Sequence, residues 1–157
     1  MMRYTSNCNG VFSRLSSSIL ILVICLFSCK PKNDLQLEKV FQSSDHLKCD
    51  KVFANSRKSI VELNEILVQT GVVDTSEIVG PPAAVIHVQG KEIILNLIKG
   101  NKDGDNFNQL YAGKDYKLLL NYKAKHYDNR TEYVGYCEVW HQTLHSKFDV
   151  EGLDNTL

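Results

Sequence analysis

Asn101, Asp103 and Asp105 recur at alternate positions of Asn-Lys-Asp-Gly-Asp-Asn, a spacing in which side-chain oxygens could begin to wrap calcium as the start of an EF-hand loop does. The pattern then stops. Its sixth position is Asn106 where glycine is needed, and its twelfth is Ala112 where a bidentate glutamate is needed, so a solvated turn around Asp103-Gly104 is the expectation. His141 and His145 stand four apart, which aligns two imidazoles on a helix but not at the strand end they occupy by pattern. No metal site is expected. The chain has no G-x-S-x-G elbow, P-loop, G-x-G-x-x-G or H-E-x-x-H, so neither a cofactor nor a catalytic constellation is expected. The enzyme alternative is a Ser or Cys brought to His126, His141 or His145 from a distance, since such sites are built by geometry and not by order.

What remains is binding chemistry. In residues 116–127, Tyr116, Leu118, Leu120, Tyr122 and Ala124 alternate with Lys117, Asn121, Lys123 and Lys125, the pattern of a strand with one face in a core. Asp128-Asn129-Arg130 turns the chain into a second strand over 132–141. A register in which paired numbers sum to 259 sets Tyr122 opposite Cys137 and Leu120 opposite Val139. The other face then carries Lys123, Lys125, Tyr127, Tyr136 and Trp140, aromatic planes among cations, which could take sugars, peptidoglycan fragments or a protein partner by stacking and hydrogen bonding. A one-residue slip would dissolve this candidate ligand face.

These strands need partners. Residues 83–88 and 92–98 flank Gln89-Gly90 as a tight hairpin, and 147–152 alternates with Phe148 and Val150 inward. The stretch between the hairpin and Tyr116 reads as a polar loop. Residues 56–70 read as a helix: Ser59 and Glu62 could form a capping box, Ile60, Leu63, Ile66 and Leu67 make an apolar stripe, and Gly71 is a natural stop. The expected fold is α+β, one amphipathic helix packed on a curved antiparallel sheet of about five strands, with a small β-barrel, OB-like or otherwise, or a β-sandwich as the alternatives.

The N-terminus carries Arg3 and Arg14 with no acidic residue before Asp34, then an apolar run over 19–27 that closes in Leu26-Phe27-Ser28-Cys29. Nine apolar residues are too few to span a bilayer, which takes about 20, and the order of charge, apolar run and small residue is that of a signal peptide. Leu26 and Ser28 before Cys29 resemble the lipobox of bacterial lipoproteins. The resemblance implies cleavage before Cys29, lipidation of that cysteine and membrane anchoring, with the outer membrane favoured because Lys30 stands where an inner-membrane retention aspartate would be. It implies three regions: a signal peptide over 1–28, the lipidated cysteine with a tether and N-terminal segment over 29–54, and one domain over 55–157.

Loss of Arg3 and Arg14 from 18 basic and 18 acidic residues leaves a net charge of −2, which argues against nucleic acid as partner. With Cys8 and Cys25 removed and Cys29 lipidated, Cys49 and Cys137 remain, and in an oxidising envelope they could form a disulfide. The functional expectation is an envelope lipoprotein whose domain is a non-enzymatic binding or accessory module. Alternatives are an inhibitor or chaperone-like protein acting on a hydrolase through loops 101–106 or 141–146, and a small envelope enzyme.

Overall fold

The computed structural model describes residues 35–55, 65–75 and 78–155. Eight strands follow one another: β1 (Leu47–Asn55), β2 (Ile66–Thr75), β3 (Ile78–Val88), β4 (Lys91–Asp103), β5 (Asn106–Gly113), β6 (Tyr116–Tyr127), β7 (Arg130–His141) and β8 (Leu144–Asp154). Each pairs antiparallel with the next, and β8 returns to β1 with Phe53 opposite Gly152, closing a barrel that leaves no free sheet edge. Two-residue turns make this meander possible. Gln89 and Gly90 (φ 51° and 69°), like Lys114 and Asp115 (φ 48° and 66°), are left-handed at both positions, the geometry whose twist matches that of the strands it joins.

An eight-stranded barrel is wide enough inside for side chains or one small ligand. Here Phe53, Ile86, Leu95, Leu118, Leu120, Cys137, Val139 and Val150 fill it. Bulk is matched across the wall: Phe53 lies opposite Gly152 and Tyr122 opposite Gly135. One end is plugged by the segment before β1. Leu35 and Leu37 join the interior cluster, the Glu38 amide donates to the His87 carbonyl, and Val40 and Ile66 exchange backbone bonds of 2.9 and 2.8 Å.

A second apolar cluster of Leu47, Ala83 and Val85 lies apart from the interior one, with Cys49, Val73 and Ile94 against it. Beside it the chain over 42–46 covers β2, pinned by the buried Gln69, which accepts from the Ser44 amide at 2.8 Å and donates to the Gln42 carbonyl. Elsewhere many of the outward positions are polar, with Ile98 and Tyr127 among the exposed apolar exceptions. On β6 to β8 the polar ones include Lys117, Lys123, Lys125, Glu138 and Lys147 around a largely apolar interior.

This all-β architecture overturns the expected α+β fold with one helix on about five strands. Residues 66–70, placed in the helix, open β2 and Glu65 is a bend before it; residues 56–64 of that segment lie outside the described residues. The supposed polar loop is the end of β4, a turn at Gly104-Asp105 and all of β5. Leu35 and Leu37 belong to the core, so the domain begins well before residue 55. The hairpin at Gln89-Gly90 and the β6 to β8 strands stand where the alternation puts them.

Candidate functional site

The β6–β7 pairs sum to 257, with Leu120 opposite Cys137 and Leu118 opposite Val139, two residues from the expected register. A shift of two preserves the facing of every side chain. Lys123, Lys125, Tyr127, Tyr136 and Trp140 therefore do share the outer face, but they are strung along it instead of gathered. Trp140 pairs with Lys117, Tyr136 with Asn121, Lys123 with Val134, Lys125 with Glu132 and Tyr127 with Arg130. Tyr127 and Trp140 stand at opposite ends of the hairpin.

The Trp140 end has the denser chemistry. Strand β8 sets His145 beside Trp140 and Lys147 beside Glu138. The His145 ring stacks on Trp140 with centroids 4.9 Å apart, and Lys147 Nζ sits 3.6 Å from the Tyr136 ring centroid. Glu138 accepts from Lys147 at 3.0 Å and lies 3.2 Å from the His145 ring nitrogen Nε2. The Lys147 hydrogen bond holds the Glu138 carboxyl below the ordinary carboxylate range, and the same bond raises Lys147.

Beside this ladder lies a groove of about 710 Å³ lined by Leu110, Ala112, Tyr116, Lys117, Trp140 and Gln142 among others. Its walls come from neighbouring strands β5, β6 and β7. Tyr116 is held by stacking on His141 at 4.1 Å, interplanar angle 10°. An indole, a lysine and an amide around an apolar floor of Leu110 and Ala112 can stack a flat ring and hydrogen-bond its edge. Lys117 replaces Lys123 and Lys125 as the lysine beside Trp140.

The other sequence candidates fall elsewhere. Cys49 and Cys137 are not bonded: both are free thiols, Cys137 inside the barrel and Cys49 against the second cluster. That separation is the physical reason the expected disulfide is absent. Desolvation, the largest effect at each, pushes Cys49 up to about 11 and Cys137 up to about 12. His141 and His145 stack on different rings, Tyr116 and Trp140. Asp103 and Asn106 close the β4–β5 hairpin, where Asn106 donates to the Asp103 carbonyl and Asp105 lies 3.5 Å from His126. Cys29 lies outside the described residues.

Sequence reasoning missed a set of part-buried tyrosine hydrogen bonds inside the barrel. The Tyr111 and Tyr122 hydroxyls both donate to Gln109 Oε1, at 3.0 and 3.2 Å, and the Tyr133 hydroxyl donates to Asp154 at 2.6 Å. Phe107, Gln109 and Tyr111 at every second position are the signal that could have found it. No family model matches the chain, and neither a curated protein nor a solved structure matches it.

Proposed function

We propose that this protein is a lipid-anchored bacterial envelope protein, with the outer membrane favoured, whose barrel is a non-enzymatic binding module for a carbohydrate of the envelope. The groove beside Trp140 carries this reading: it joins an aromatic plane to hydrogen-bonding groups at its rim, the combination that holds a sugar ring by one face and its hydroxyls by the edge. The −2 balance of the chain from Cys29 onward leaves recognition to shape and stacking and not to long-range charge. The Leu26-Phe27-Ser28-Cys29 sequence supports the anchor.

Trp140 is the chain's one tryptophan, so its fluorescence reports the groove directly. Titration with peptidoglycan fragments and envelope oligosaccharides is expected to shift that emission saturably. Trp140→Ala should weaken binding, read by calorimetry, by about tenfold or more, the loss of roughly 1.4 kcal/mol of stacking, while the far-UV spectrum is unchanged. Saturable binding that Trp140→Ala leaves intact would place the ligand elsewhere. Cys29→Ala should move the protein from the membrane to a soluble or precursor form, and unchanged membrane partition would remove the lipid anchor.

A further inference from the structure

The chain reaches the barrel at one defined end. Leu35 and Leu37 are buried there, the Glu38 amide donates to the His87 carbonyl at 2.8 Å, and the Glu38 carboxylate accepts from the Gly90 amide at 2.7 Å. Because the strands alternate in direction, the end of β3 shares its rim with the turns Gln89-Gly90, Lys114-Asp115 and Gln142-Thr143. Trp140 and Tyr116 stand beside the last two of these turns, and both line the groove with Asp115 and Gln142. The groove therefore opens at the plugged end.

Six residue steps separate Cys29 from Leu35, a reach of at most about 22 Å. Tyr127, at the other rim, lies ten residues beyond Lys117 along β6, about 33 Å of strand and about 25 Å along the axis at the usual tilt. We infer that the plugged end of the barrel rests on the bilayer that holds the anchor, so that the groove at Trp140 opens at the lipid headgroup layer and takes a ligand displayed there. The inference rests on the lipid-anchor reading above. The chemistry of the rim fits that occupant. Tryptophan and tyrosine rings favour the membrane–water interface, and the turns that would meet it, with Gln89, Lys114, Asp115, Gln142 and Thr143, are polar enough to lie among headgroups without entering the acyl layer.

The test uses the full lipidated protein, reconstituted in phosphatidylethanolamine–phosphatidylglycerol vesicles that carry a headgroup-attached nitroxide quencher. The native protein places its one tryptophan at the plugged rim; the W140F/Y127W variant places it at the opposite rim, where Tyr127 is 52% exposed. Quenching of the native protein is expected to exceed that of the variant by about twofold or more, given the ~25 Å of axial separation. Equal quenching, or stronger quenching of the variant, overturns the orientation. Mass spectrometry of the same sample keeps the two readings apart: vesicle-bound protein without lipid on Cys29 defeats the anchor and with it the tether argument, whereas lipidated protein with unquenched Trp140 defeats the orientation alone.

Discussion

The Tyr133 hydroxyl donates a 2.6 Å hydrogen bond to the Asp154 carboxylate, fastening β7 to the last residue of β8. Hydrogen bonds to charged groups contribute about 1.5–3 kcal/mol, and the Tyr133 ring also packs between Phe53 and Tyr122 at centroid distances of 6.1 and 5.3 Å. Tyr133→Phe keeps the ring and loses the bond. It should cost about 1–2 kcal/mol in urea unfolding, and an unchanged midpoint would show that the bond contributes nothing net.

Tyr111, Tyr122 and Tyr133 are all raised above the ordinary 10.0, first by burial, with Asp50 adding to each and Asp154 to the latter two. An acid whose folded value lies above its unfolded value contributes stability that is complete below the unfolded value and is lost as pH rises through the folded one. The barrel should accordingly lose stability above about pH 10. In an alkaline titration the three phenolates should appear together with loss of the β-sheet signal. Their ionisation near 10 in an intact barrel would contradict the burial of these three rings.

Cys137 is buried and Cys49 half-buried, with values pushed to about 12 and about 11. At pH 8 the reactive thiolate is then about one part in ten thousand for Cys137 and one in a thousand for Cys49. In native protein, alkylation should be slow at both and slower at Cys137, with both reacting freely in denaturant. Rapid native labelling of Cys137 would mean the interior opens.

Gly135 sits opposite Tyr122, where an added Cβ would meet the Asn121 carbonyl oxygen and come within 2.6 Å of Tyr122 Cα. Backbone cannot yield as a side-chain tip can. Gly135→Ala should destabilise by about 3 kcal/mol or more, exceeding Gly152→Ala, whose nearest obstacles are the Phe53 ring at 2.6 Å and the Val52 carbonyl oxygen at 2.8 Å. Thermal melts of the two variants decide the order.

Gln69 is 1% exposed and holds Ser44 and Gln42 on the outside of β2. Gln69→Leu leaves the Ser44 amide without its acceptor, a loss of about 1–3 kcal/mol. Hydrogen exchange should quicken over 42–46 and leave β6 unchanged; uniform acceleration would mean that Gln69 supports the whole barrel.

Several elements were legible in the chain because water touches one side of them. Tyr116 to Tyr127 alternates in side-chain character since its inward residues fill the barrel and its lysines face solvent, and Gln89-Gly90 announces a tight turn by composition. Parity alone placed Cys137 inside and Trp140 outside. The same rule fails for β2, where Leu67, Val68, Gln69 and Thr70 are all buried because 42–46 covers the outside; with both faces hidden, alternation vanishes. In β5 the inward Gln109 serves two tyrosine hydroxyls, so a core position is written in polar residues and reads as a loop.

By itself the sequence determined the near-neutral balance and which side chains of β6 and β7 face in or out, because local period and composition suffice for these. Only the tertiary structure decided closure of β8 onto β1, separation of Cys49 from Cys137, and the meeting of Trp140 with Tyr116, Lys117 and Leu110 in one groove. These depend on pairing register and on what covers each face of the wall, quantities set by distant segments finding one another and not by any local run of residues.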